Sequence, residues 1–346
     1  MTQHTTELPT GAHPVSAATS ADTTRRRPYL RVVGLLVGLA LLAALPWMVY
    51  PPLAVDIVTW GLFAISIDLL LGYTGLLSFG HAAFWGASAY ITGMVAIESG
   101  APFPVAILVG VVTAMIIAVP TGWLAVRSIG IYFAMVTLAF AQMLYFVATQ
   151  AQDYTGGENG LQGVPKNFFG VGLVESEPFY FYYAVLPLIL LGLWVAWRVV
   201  HSPFGRVLLA VRDNPARARA MGYDVEKYKI MIFVVSAGIA GLAGGIYVIS
   251  HGFASLNELL WTTSGKGVLI AVLGGIGTIW GSLVGAVVLV SLEDYLASSG
   301  FEGTGIITGA IFVLVVLLFR RGIWGSLSHY LPMAMRRLTG RSRRGS

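Results

Sequence analysis

The sequence predicts an all-α polytopic membrane protein of about ten transmembrane helices. The expected arrangement is two inverted five-helix halves with both termini in the cytoplasm. Three observations predict it: scarcity of charge, apolar runs of spanning length, and one-sided placement of Lys and Arg. Of 346 residues, 56% are hydrophobic and 11% charged, with 42 Gly. Mean hydropathy is +0.78. An ordinary soluble domain carries about 25% charged residues, and a soluble fold cannot cover this much apolar surface with so little polar surface. The composition excludes a soluble enzyme, a disordered chain and a disulfide scaffold. With no Cys in the chain, thiol catalysis and Cys-ligated metals are excluded too.

Residues 1–24 are rich in Thr, Ala and Ser, lack periodicity, and read as a disordered cytoplasmic tail. Arg25, Arg26 and Arg27 precede the first apolar run, 30–50. A basic patch before an apolar run also suits a signal peptide. This run is long for one and no small-x-small cleavage site follows, so it reads as an uncleaved span. A helix needs about 20 mostly apolar residues to cross the bilayer core, with its backbone polar groups paired internally. Further runs lie at 53–71, 76–97, 103–126, 129–149, 179–200, 229–250, 264–279, 281–298 and 304–319. Those at 76–97 and 264–279 are Gly-rich or short, and re-entrant segments are the alternative there. The membrane-spanning region is thus 25–327, followed by a basic cytoplasmic tail, 328–346.

The cations test this count. With the amino terminus inside and all ten runs crossing, 19 of the 21 Lys and Arg residues fall on the cytoplasmic side, and only Lys166 and Lys266 outside. That is the positive-inside pattern. Losing one span would invert everything downstream. The net charge of +5 is therefore a topology signal, and nucleic acid is not an expected partner. Five spans per half would force the second half to be inverted, as in many transporters. The Gly-rich stretches 72–86 and 274–285 are alike in texture.

Four segments carry more information. In 72–86, Gly clusters permit close helix approach or broken backbone. Ser78 and His81 are candidate polar lining of a translocation path, since an ionisable group at membrane depth is expensive and usually has a role. A hydrogen bond from His81 to a neighbouring helix is the competing reading. Asp68, one turn earlier, either pairs with a polar group of this segment or reaches the cytoplasmic interface, and the interface is the preferred reading. The second segment, 155–165, lies in an outside loop, 150–178. Gly156, Gly157, Glu158, Asn159 and Gly160 specify a shaped loop, a candidate external docking surface or an ordered cap. Glu158 and Asn159 alone supply too few ligands for a metal.

The third is the inside loop 201–228. Pro215 suits the first turn of a short helix and Gly222 its carboxyl end. Arg alternating with Ala makes a shape for a partner's groove. Binding to anionic lipid is the alternative, but Ala stands where a lipid-binding face wants Trp, Phe or Leu. The fourth comprises polar residues within spans: Thr137, Gln142, Thr262, Thr263, Ser264, Glu293 and Asp294. Thr137 and Gln142 join the candidate path. Glu293 and Asp294 are expected near the outer end of a span, facing water. The six His form no metal spacing, and Gly265-Lys266-Gly267 is not a phosphate-binding loop. No cofactor or resident metal is expected, and no catalytic residues.

Six motifs occur in order: GYTGLLSFGHAAFWGASAY, IYFAMVTLAF, TGGENGLQGVP, SPFGRVLLAVRDNPARARAMGYDVEKYKI, FVVSAGIAGLAGGIY and VLGGIGTIWGSLVGAVVLV. This series, over roughly 50–325, resembles the LivM-type permeases, membrane subunits of importers for branched-chain amino acids driven by ATP-binding-cassette (ABC) subunits. The resemblance implies a second permease subunit of the LivH type, two cytoplasmic ATPase subunits that bind the ATP, an extracytoplasmic solute-binding protein, and residence in the bacterial inner membrane. It also implies that 201–228 docks on the ATPase, with Arg212, Asp213, Asn214, Ala218 and Gly222 matching the family's coupling pattern. Arg217 departs from that pattern where Ala is usual, and Arg320 stands where Pro is usual. Urea-type permeases of the same superfamily share an acidic residue at the place of Asp68, so a urea or amide permease is an alternative. A stand-alone ion-coupled carrier using Asp68 and His81 is another. A membrane-embedded enzyme lacks a nucleophile or metal set.

Overall fold

In the computed structural model, residues 28–170, 172, 174, 177–299, 309–310 and 322–323 are described. The expected tails and the tenth run, 304–319, lie outside these residues apart from positions 309 and 310. Helix α1 (Pro28–Met48) contains Pro46 in its last turn. By its internal contacts the chain divides between Ala44 and Leu45, and the packing below is that of the second unit.

The centre of that unit is α2 (Pro51–Thr74). It opens on two prolines, whose fixed φ suits a first turn, and ends at Gly75 in the left-handed conformation (φ 71°). Its sequence is apolar on every side, and nearly all of its residues are buried, as expected of a helix wrapped by others. Residues 75–80 then run without helix, and α3 (His81–Ser99) starts at the histidine. Helices α4 (Phe103–Ala125) and α5 (Ile131–Gln150) follow. A short α6 (Gln152–Thr155) and a 3-10 turn lead to the two-residue strand β1 (Leu161–Gln162). Beyond lie α7 (Pro178–Val200), α8 (Pro203–Asp213), α9 (Pro215–Ala220) and the long α10 (Val225–His251). Strand β2 (Phe253–Ala254) pairs antiparallel with β1, Leu161 opposite Ala254. A 3-10 turn (Leu256–Leu259), α11 (Trp261–Gly274) and α12 (Ile279–Ser298) complete the described elements.

Six of these helices, α2, α4, α5, α7, α10 and α12, are long and apolar enough to cross a membrane. The run 76–97 begins its helix only at His81, because Gly75 and Gly80 release the backbone before it. The run 264–279 is not one helix. Its α11 stops at Gly274, and Gly275 and Gly277 take positive φ values (121° and 79°). Fourteen residues reach about 21 Å at 1.5 Å per residue, short of the ~30 Å apolar core.

Small residues set the crossings. On α10, a Cβ at Gly244 would lie 2.2 Å from the Trp85 carbonyl oxygen of α3. Gly241 accepts a hydrogen bond from Ser88 Oγ at 2.7 Å. Backbone therefore lies against backbone, the arrangement that small residues permit within membranes. Gly244→Val should force α3 and α10 apart and lower the thermal midpoint of the purified protein by several degrees, an overpacking cost of about 1–3 kcal/mol or more. Gly265→Ala, where an added Cβ meets nothing within 4 Å, should leave it unchanged or slightly raised. Large apolar side chains stay exposed along α4 and α5, among them Leu108, Ile116, Tyr132 and Met135. Apolar faces this extensive need lipid or a partner to cover them.

Candidate functional site

Two clusters concentrate the polar groups of the central helices. The first is buried at the break between α2 and α3. Ser78 Oγ lies 3.0 Å from His81 Nδ1, and His81 Nε2 lies 2.7 Å from Ser236 Oγ of α10. Ser236 Oγ donates to the Ser66 carbonyl of α2 at 2.5 Å. That donation spends the Ser236 proton, so Ser236 accepts from His81 Nε2–H. Nδ1 then accepts from the Ser78 hydroxyl, which itself accepts from Gly80 N–H at 3.2 Å. The chain of bonds runs through α2, the break, α3 and α10 and is satisfied by a neutral imidazole. Phe84 and Phe233 stand edge-on to the ring. Thr137 of α5 accepts from Phe79 N–H at 3.3 Å, and Ser264 of α11 accepts from Ala82 N–H at 2.7 Å.

Of the candidate path residues, Ser78, His81 and Thr137 are thus brought together, and all three are buried. Gln142 is half-buried further along α5, and among the described residues no hydrogen bond joins it to the cluster. Ser66 and Ser236 complete the site and escaped the sequence reading, whereas Ser264 stood there only as one of the polar residues within spans. A lone Ser in a Gly/Ala-rich span carries no mark of a partner 155 or more positions away.

The second cluster lies at the end of α2 where α8 and α9 sit. Ser202 caps α8 by accepting from Gly205 N–H, and Asn214 caps α9, its Oδ1 accepting from Arg217 N–H at 2.9 Å. The loop 201–228 therefore holds two short helices, where the sequence reading expected one. The α8 guanidinium of Arg212 donates to the Gly72 carbonyl in the last turn of α2, where a cation also complements the helix dipole. Ala218 is fully buried with Val211 and Val225, which fixes α9 against α8 and the start of α10. Asp213 and Gly222 are exposed. Gly222 has φ 89° with open space where a Cβ would go, so it is needed for its turn rather than for close approach. Asp224 caps α10 and pairs with Lys227 at 2.9 Å, and the Lys227 side chain holds the exposed Asp224 carboxyl below its usual range.

Gly72 connects this helix pair to the second half of the chain. A Cβ there would lie 2.6 Å from the Gly277 backbone. Tyr73 donates to Gly277 O at 2.9 Å, and Asp68 Oδ1 accepts from Gly277 N–H at 2.8 Å. Asp68 is 2% exposed. The expectation that it reaches an aqueous interface is corrected: it anchors the turn between α11 and α12, because an unpaired carboxylate could not be buried there.

The loop 150–178 is shaped as its glycines require. Gly156, Gly157 and Gly160 have φ values of 74°, 58° and 68°. A Cβ at Gly160 would lie 2.3 Å from Ala254 O, so the loop is pressed on β2. Glu158 and Asn159 are exposed on its tip. Lys166 lies over the Phe181 ring at 5.3 Å, and burial lowers its ammonium below the ordinary range. Glu293 and Asp294 do not simply face water. Glu293 pairs with Lys266 at 2.5 Å, and Asp294 accepts from Tyr50. Among the described residues no cluster of His, Asp or Glu could hold a metal.

Lipid-length helices, glycine-mediated crossings and an amphipathic helix pair hooked to the central helix define a polytopic helical membrane protein with two internal breaks. The chain belongs to the family described as "Branched-chain amino acid transport system / permease component", whose profile matches residues 50–316. It is 28% identical to the high-affinity branched-chain amino acid transport system permease protein LivM of Salmonella typhimurium (strain LT2), over 84% of this chain and 74% of that protein. It is 25% identical to LivH of Escherichia coli (strain K12), over 77% of this chain and 91% of that one. The autoinducer 2 import system permease protein LsrC of Salmonella paratyphi B is 29% identical over 61% of this chain and 60% of its own length. No solved structure matches.

Proposed function

We propose that this chain is the LivM-like permease subunit of an ABC importer in a bacterial inner membrane. It carries branched-chain amino acids delivered by an extracytoplasmic binding protein. A LivH-type permease completes the pathway, and two cytoplasmic ATPase subunits bind and hydrolyse the ATP. In this reading the ten runs cross the membrane with both termini inside, the short α11 completing its crossing through the non-helical residues 275–278 that pack against α2. The order of elements supports two related halves. Each places a deeply buried helix, α2 or α10, before an irregular segment and then a shorter helix, α3 or α11.

The observation that carries the mechanism is the contact of Arg212 with Gly72. An ATPase that moves α8 and α9 pulls on the end of α2, and Asp68, Tyr73 and Gly72 pass that movement to the turn at Gly277. Arg212, Asp213, Asn214, Ala218 and Gly222 form the docking unit. The cluster of Ser78, His81 and Thr137 lies where the helices must separate for solute to pass. Glu158 and Asn159, on their glycine loop, face the binding protein.

The test is reconstitution of the chain with its partner permease, ATPases and binding protein in liposomes. ATP-dependent uptake of L-leucine, absent without the ATPases, is the expected result. Uptake of urea in preference to leucine would overturn the substrate, and uptake by the single chain without ATP would overturn the mechanism.

A further inference from the structure

Helix α10 leaves the α8–α9 end at Val225 and reaches the opposite end of the bundle at His251. There a cavity of about 290 Å³ lies among α2, α3, α10 and the start of α11, at the small end of the ~300–1,000 Å³ typical of ligand sites. One wall is aromatic. Trp60 and Trp85 lie 5.1 Å apart between ring centres, and Trp85 and Tyr247 5.2 Å. Trp85 is fully buried, yet among the described residues its indole Nε1 has no hydrogen-bond partner, although a buried indole N–H usually finds one.

The cavity is also lined by one cation, Lys266, and one carboxylate, Glu258, with a second carboxylate, Glu293, behind the cation. Lys266 Nζ sits 4.0 Å over the Trp60 ring and pairs with Glu293, which engages only part of an ammonium with three donors. Glu258 lies in the 3-10 turn before α11. Its Oε2 accepts from Ser255 N–H at 2.6 Å and from Ser255 Oγ at 2.7 Å. These bonds fix the carboxylate in place. Burial pushes its carboxyl above the ordinary range, and the Ser255 bonds offset that only in part.

We infer that this cavity is a substrate site of the permease, taking an α-amino acid with an apolar side chain. Lys266 receives the carboxylate, Glu258 the ammonium, and the Trp60–Trp85–Tyr247 wall the aliphatic chain. Two opposite charges beside an aromatic face complement a zwitterion with an apolar tail, and ring faces also attract the ammonium. A neutral amide would leave the Glu258 carboxylate without a counter-ion and gain nothing from Lys266, which Glu293 already pairs. The inference rests on the reading of the chain as an amino-acid permease and adds where, within this subunit, the solute stops.

Uptake of radiolabelled L-leucine by the complete importer in proteoliposomes tests that underlying reading. Against that uptake, Lys266→Gln and Glu258→Gln should each reduce the rate at least tenfold. Because the chain has no Cys, Thr262→Cys places a single thiol at the cavity in this subunit without removing a charge. Millimolar L-leucine should slow its labelling by a maleimide at least threefold. 4-Methylpentanoate and isopentylamine, each lacking one of the two charges, should not. Should a charge variant fail to assemble, the labelling decides. Undiminished uptake in both charge variants, or labelling indifferent to leucine, would overturn the site while leaving the permease reading intact. Absence of uptake by the unaltered importer would overturn that reading, and leucine protection would still support the site.

Discussion

Arg212→Ala should lower ATP-driven uptake about tenfold or more while the subunits still assemble. The guanidinium makes a charge-assisted bond to the last turn of α2, a class worth about 1.5–3 kcal/mol, and about 1.4 kcal/mol corresponds to a factor of ten. Ala218 and its valine neighbours still hold α9 in place, so the docking surface survives and only its grip on α2 is lost. Hydrolysis of ATP should therefore continue and become less dependent on the loaded binding protein. Arg212→Lys should recover part of the uptake, since one donor can still reach the carbonyl. Parallel measurement of ATPase rate and uptake checks this. Equal loss of both, or of neither, would contradict a transmitting role.

His81→Leu should cost about 2–5 kcal/mol of stability, the other large effect. The substitution keeps a buried side chain of similar reach but strips the Ser78 hydroxyl of its acceptor and Ser236 Oγ of its donor. Each buried polar group left unpaired costs roughly 1–3 kcal/mol. A melting curve of the purified chain in detergent should show a midpoint lowered by several degrees. Ser236→Ala should lower it by a similar amount, because it leaves the His81 Nε2–H without an acceptor and the Ser66 carbonyl without this donor. If His81→Leu melts with the wild type, the imidazole is not the junction between α2, α3 and α10 described above.

Much of the fold is legible in the sequence because the bilayer is a severe solvent. A stretch such as 103–126 has one structural solution, and α4 occupies Phe103–Ala125. The shaped loop at 156–160 was legible as a place where the glycines allow tight turns, and Gly156, Gly157 and Gly160 all take positive φ. The two breaks were visible only as texture. Gly75 and Gly277 mark where a helix can stop, but whether it stops depends on what packs against the opened backbone. In both places the answer is a distant segment: Thr137 and Ser264 for the first, Asp68 and Tyr73 for the second. The same limit applies to Asp68. Alone, a carboxylate near the end of a span belongs at the water boundary. It is buried because Gly277 supplies an N–H from 209 positions away, a pairing that local periodicity cannot encode. Helix α8 was missed for a smaller reason. Ser202-Pro203 is a helix start, but Arg206 and Arg212 obscured the apolar stripe of Leu208 and Val211.

The brief ribbon of β1 with β2 makes the glycine loop a passenger of α10. Leu161 is tied to Ala254, three residues beyond the end of that helix, while Glu158 and Asn159 stand on the rim just before the tie. Sliding α10 by a single residue, roughly 1.5 Å, would shift the rim with it. A fluorophore or spin label at residue 158 would thus serve as a remote gauge of the central helix, readable without touching the bundle.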